Sequence, residues 1–169
     1  MIPLSSVVST GLTWSKVSHQ DYELKVNGKV VGTLHRPSFW SSTVLAETQS
    51  GCWTFRRHGW LGAGAQILDS NSQQEIATFK SSWSGAGTLA FADGQTFHLE
   101  CKGWWRPVWS VIAQTGETLL RLHTREKEVE VTAQSAVTDS RLSLLIMFTW
   151  YRVLQAEEDA AATAIAAAS

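Results

Sequence analysis

The chain has 169 residues, 14 Lys and Arg against 15 Asp and Glu for a formal charge of −1, 44% hydrophobic residues, three Pro, two Cys and nine Trp. That length suits one domain of roughly 100–200 residues with a core of its own, and the composition excludes a disordered chain, a collagen-like repeat and a disulfide scaffold. Near-neutral charge also removes the simple case for nucleic acid, which needs many Lys and Arg to meet phosphates.

Met1 to Gly11 has neither a basic segment nor an apolar run long enough for a signal peptide, which points to a cytoplasmic protein. Cys52 and Cys101 are then expected to stay reduced as small buried hydrophobes. His58 and His98 beside them do not complete the spacing of a zinc site.

An internal repeat runs through most of the chain. Trp53 to Trp60 aligns without a gap on Phe97 to Trp104, a spacing of 44, and at the same spacing Ile67-Leu68 falls on Val111-Ile112, Leu45-Ala46 on Leu89-Ala90 and Phe39 on Trp83. Two spacings back from Gly116 stands Gly28, with Leu24, Leu34 and His35 under Ile112, Leu122 and His123. Three related units therefore fill residues 14–132.

Each unit reads as antiparallel strands. Apolar and polar residues alternate in Phe97-His98-Leu99-Glu100-Cys101 and in Trp53-Thr54-Phe55-Arg56, the period-two mark of a strand with one buried face. Asn27-Gly28, Asp93-Gly94 and Thr115-Gly116 supply tight hairpins. Hairpins at this density imply about ten to twelve short strands, enough to close a barrel and remove its exposed edges.

After Ala136 the pattern changes. Thr138-Asp139-Ser140 offers an N-cap, and Leu142 to Leu154 is apolar nearly all round, which predicts a helix over about residues 140–155. Its 13 residues span only about 20 Å, short of a hydrocarbon core of about 30 Å, and Arg152 sits within it, so burial in protein is expected. The chain thus divides into one domain, residues 1–155, and an Ala-rich acidic tail, residues 156–169, which continues the helix or frays.

Gly-turned short strands in imperfect repeats, with pieces such as Gly103-Trp104 through Val111, closed by one all-apolar helix at Leu142–Leu154, resemble the tubby C-terminal-domain-like superfamily. That group includes tubby proteins, plant LURP-one-related proteins and phospholipid scramblases. The resemblance covers Trp14 to Leu154 and implies a twelve-stranded barrel threaded by its C-terminal helix. It further implies binding of phosphoinositide head groups by surface Lys and Arg, as in tubby proteins. The Pro-rich, Cys-rich and acidic calcium-binding segments of scramblases have no counterpart here, and Glu126-Lys127-Glu128-Val129-Glu130 reads instead as the solvent face of a strand.

Charge is uneven along the chain: residues 1–125 hold 11 Lys and Arg against 8 Asp and Glu, residues 126–169 hold 3 against 7. Two basic aromatic clusters occupy equivalent repeat positions, Arg56-Arg57-His58-Gly59-Trp60 and Lys102-Gly103-Trp104-Trp105-Arg106. From these, Arg56, Arg57, Trp60, Lys102, Trp104, Trp105 and Arg106 are the candidate ligand-binding residues, cations for phosphate and indoles for an interfacial layer. The competing expectation is that the cations solubilise hairpin ends while the Trp side chains pack over the barrel mouth.

No G-x-S-x-G elbow, H-E-x-x-H helix or phosphate-loop context is present, and the His residues at 19, 35, 58, 98 and 123 are scattered. The reading is a noncatalytic binding domain without cofactor or metal, its first ligand class an anionic phospholipid head group or membrane surface. A protein partner comes second and single-stranded nucleic acid third.

Overall fold

The computed structural model describes Leu4 and residues 11–38, 40–59, 63–82, 85–133 and 137–169. The first four strands are β1 (Leu12–Lys16), β2 (Asp21–Val26), β3 (Lys29–His35) and β4 (Thr43–Thr48). The next four are β5 (Gly51–His58), β6 (Gly64–Asp69), β7 (Glu75–Ser81) and β8 (Gly87–Phe91). The last are β9 (Thr96–Lys102), β10 (Val108–Ala113), β11 (Thr118–His123) and β12 (Glu128–Val131), and one helix, α1 (Asp139–Ala168), follows. Each strand pairs antiparallel with its sequence neighbours, and β1 pairs with β12 to close a twelve-stranded barrel.

The strands form where alternation demanded them. In β9, Phe97 and Leu99 are buried around an exposed His98; in β5, Trp53 and Phe55 face inward and Arg56 outward. Asn27 and Gly28 both take positive φ, 48° and 76°, which gives the β2–β3 turn a twist that matches the strands. The 44-residue unit is four strands long, and it carries its irregularities with it. The ladder shifts at Leu24/Lys25 in β2, Ile67/Leu68 in β6 and Val111/Ile112 in β10, so the second strand of every unit bends at one bulge. Phe39 and Trp83 lie outside the described residues.

An eight-stranded barrel is about wide enough for side chains alone to fill; twelve strands leave a lumen that needs a further element. Helix α1 fills it. All residues from Leu142 to Gln155 are buried, against β3, β4 and β5 on one side and β10 and β11 on the other. Thr138 caps the helix by accepting from the Arg141 amide at 3.3 Å. Phe148 sits between Phe55 and Phe79 at centroid distances of 5.4 and 5.5 Å, and Trp150 stacks on Trp14 at 5.2 Å.

Of the two outcomes open to residues 156–169, the helix continues: α1 runs to Ala168, because Ala160 to Ala168 is rich in the strongest helix former, and residues 156–169 are all exposed. One expectation needs correction. Both cysteines are only partly buried, Cys52 on the outer face of β5 and Cys101 facing inward near the end of β9, although burial pushes both thiols up. Trp14, Trp53, Trp109 and Trp150 fill the interior, whereas Trp40, Trp104 and Trp105 are exposed.

Candidate functional site at the upper rim

Because neighbouring strands are all antiparallel, alternate connections share a rim. The connections after β1, β3, β5, β7, β9 and β11 make one rim, here the upper, where α1 emerges; those after β2, β4, β6, β8 and β10 make the lower, where it begins. This parity sorts the charges. Upper connections and the strand ends beside them hold Lys16, Arg36, Arg57, Lys80, Lys102, Arg106, Arg125 and Lys127 against Asp21, Glu126 and Glu128. Lower ones hold Lys25 and Lys29 against Glu47, Asp69, Glu75, Asp93 and Glu117. The helix adds Glu157, Glu158 and Asp159 at the upper mouth and Asp139 with Arg141 at the lower end, so the upper end keeps a small basic excess and the lower end an acidic one.

The two candidate clusters share the upper rim but not a patch. Adjacent Arg56 and Arg57 point to opposite faces of β5, as period two requires. Arg56 lies on the outer wall and donates to Gln73 Oε1 at 3.5 Å. Arg57 turns into the mouth, where its Nη2 donates to Asp159 Oδ1 at 2.9 Å and reaches Glu158 Oε2 at 3.4 Å; Arg36 pairs with the same Glu158. Burial opposes the Arg57 charge, but the hydrogen bond and charge of Asp159, with Tyr151 and Glu158, outweigh it and hold the guanidinium above its ordinary pKa. Trp60 lies outside the described residues.

The second cluster is open to solvent and larger than the sequence showed. Gly103 at φ 86° has its Cβ position 2.9 Å from the Arg106 carbonyl, so only glycine makes the turn that throws both indoles outward. Trp104 is 90% and Trp105 69% exposed, in edge contact at 5.7 Å. The β11–β12 turn lies alongside: the Thr124 amide and hydroxyl donate to the Pro107 carbonyl at 3.2 and 2.9 Å, and Arg106 stands 3.8 Å from Glu126. That turn adds Arg125 and Lys127, both exposed and, among the described residues, without an ion pair. Lys102 pairs with Glu100 at 2.8 Å yet is 77% exposed. Trp40, 91% exposed, and Val17, 59% exposed, stand on other upper connections.

Inside the mouth α1 carries a polar stripe. Tyr151, Arg152, Gln155, Glu158 and Asp159 recur at helical spacings of three and four, so they share one face. Gln155 donates to the Tyr151 hydroxyl at 2.7 Å, Arg152 donates to Gln155 Oε1, and the Arg152 guanidinium lies 4.6 Å over the Phe79 ring. Arg152 is 6% exposed and its Nε has no partner among the described residues. Burial lowers its pKa and pushes the Tyr151 phenol up to about 12. The opposite helix face, Val153, Ala156, Glu157 and Ala160, borders an open, mainly apolar cavity of about 230 Å³ against Cys101, Pro107 and Trp109.

The lower rim is tied down. Arg141 donates to Asp93 and to Gln95, each at 2.8 Å, with its guanidinium 3.7 Å over the Phe91 ring. At the upper rim His35 and His123, equivalent in the repeat, end β3 and β11 beside Asp21 at 2.6 Å and Glu130 at 3.7 Å. Among the described residues no group of three His, Cys, Asp or Glu is placed to hold a metal, and no helix is long and apolar enough to cross a membrane. The chain matches no protein-family model, no curated protein and no solved structure.

Proposed function

We propose that this domain binds, without catalysis, to an anionic phospholipid surface through its upper rim. The observation that carries the reading is the union, on two adjacent turns, of exposed Trp104 and Trp105 with exposed Arg125 and Lys127. Indoles settle at the head-group level, and each cation near an anionic leaflet is worth about 1 kcal/mol. Trp40 and Val17 place further apolar surface on the same rim, and clustered exposed apolar groups mark contact surfaces. Of the acids near the mouth, Glu158 and Asp159 are held by Arg36 and Arg57, while Glu157 and Glu128 stay exposed and offset part of the basic charge; from Ala160 onward the helix has no charged side chain.

Binding of this kind resembles the head-group binding of tubby proteins, but the residues proposed for it are those of the Trp104–Lys127 patch. The test is co-sedimentation with vesicles containing phosphatidylserine. Retention falls with salt, and Arg125→Gln with Lys127→Gln weakens partitioning by about 2 kcal/mol, roughly thirtyfold. Lys25→Gln with Lys29→Gln at the lower rim leaves it unchanged. Absence of retention at low salt overturns the reading in favour of a protein partner or a single-stranded oligonucleotide on the same indoles.

A further inference from the structure

We infer that the barrel mouth contains a second anion site, built for a phosphate-bearing group by Arg57, Arg152 and Arg36, which the chain's own Glu158 and Asp159 occupy as a latch. Arg152 is the unexplained residue. It lies inside the barrel, 6% exposed, with no carboxylate in ion-pair reach among the described residues and its Nε unpartnered. A buried cation is retained at a cost unless an anion meets it. Arg57 lies in the same sector: β5 and β7, which carry Arg57 and the Phe79 beneath Arg152, flank β6, and the two guanidinium charges act on each other and on Asp159.

The latch shows what chemistry the mouth accepts. Arg57 and Arg36 already hold two carboxylates, donated by the helix as it leaves the barrel. Beyond Gln155 every helix residue is exposed, so these ion pairs are the extension's described polar ties to the wall. They are also replaceable, since Asp159 is 65% and Glu158 42% exposed and pairs of this kind hold weakly. The cavity on the Arg36 side of Glu158, lined by Tyr22 and Leu154 but by neither Arg57 nor Arg152, holds only about 40 Å³, so a phosphate reaches the three guanidiniums when the carboxylates swing away and not before. A phosphate offers each guanidinium two oxygens and carries more charge than either carboxylate, which favours exchange. This site rests on the reading of the upper rim as the anion-facing end, but it lies within the mouth and uses none of the Trp104–Lys127 patch.

Calorimetric titration of the full chain with inorganic tripolyphosphate tests it. Glu158→Gln with Asp159→Asn is expected to tighten binding roughly tenfold over the unaltered chain, and adding Arg57→Gln or Arg152→Met is expected to abolish that gain. Circular dichroism of each variant confirms folding, and Arg57→Gln, at the rim, serves if Arg152→Met fails to fold. No gain on releasing the latch, or a gain that survives both Arg substitutions, overturns the site. If that happens while phosphatidylserine vesicles still retain the chain, the surface reading stands alone; if vesicles fail but the gain appears, the site stands and the surface reading falls. Titration with soluble inositol hexakisphosphate, set beside vesicles bearing a phosphorylated inositol lipid, distinguishes a free phosphate from a head group as the source.

Discussion

Arg57 of β5 and Asp159 of α1 meet at 2.9 Å across 102 residues of chain, and this contact ties the barrel wall to the helix at the point where it leaves the lumen. With Arg36 and Glu158 it is a surface clasp, so each pair is worth roughly 0.2–1 kcal/mol. Glu158→Gln with Asp159→Asn should therefore lower global stability by no more than about 2 kcal/mol while speeding amide exchange in residues 156–168. Hydrogen exchange by mass spectrometry reads both; unchanged exchange in the extension would show that the clasp does not hold it.

Arg152 behaves differently from a structural ion pair. With no carboxylate in ion-pair reach among the described residues and only the more distant charge of Asp159 opposing its desolvation, its replacement by Met, of similar length and apolar, should not lower stability in urea denaturation. A loss of stability would mean that the contacts to Phe79 and Gln155 outweigh burial of the charge.

Tyr151 gives a pH signature. Its folded pKa, raised to about 12 by burial, exceeds that of an exposed phenol near 10, so the folded state holds the proton more tightly. Its contribution is complete below pH 10 and disappears as pH rises from about 10 to 12, a loss of roughly 2–3 kcal/mol. Tyr151→Phe should flatten that decline, which denaturation midpoints at pH 9 to 11.5 measure against the unaltered chain.

The lumen tolerates no charge on the helix's apolar positions. Leu145 is fully buried, and Leu145→Asp leaves an unpaired carboxylate in the barrel, which should abolish folding. Phe148→Ala is the graded counterpart: losing its ring between Phe55 and Phe79 should cost about 3–5 kcal/mol. A soluble, cooperatively unfolding Leu145→Asp chain would remove the central-helix account.

The architecture was legible in the sequence because each device was local. Alternation around Phe97 and Leu99, the Asn27-Gly28 turn and the apolar run from Leu142 to Leu154 each declare an element without reference to the rest of the chain. The candidate site was legible only in part, since a rim is assembled from every second connection and belongs to no stretch of sequence. Trp104, Trp105, Lys102 and Arg106 were visible as one cluster, while Arg125, Lys127 and Trp40 join the rim only once strand parity is known. Two signals were present and unused: the adjacency of Arg56 and Arg57, which on a strand sends them to opposite faces, and the spacing of Arg152, Gln155 and Asp159, which on a helix aligns them. The acids at residues 157–159 read as a tail because nothing local to them shows Arg36 and Arg57 waiting at the mouth.

Which end of the barrel meets the membrane is measured most directly by hydrogen exchange with and without phosphatidylserine vesicles. Protection of residues 103–107 and 124–127, with the lower turns at Asn27-Gly28 and Asp93-Gly94 unchanged, is the expected result. Protection of the lower turns instead, or none at either rim with the chain in the presence of vesicles at low salt, would contradict it.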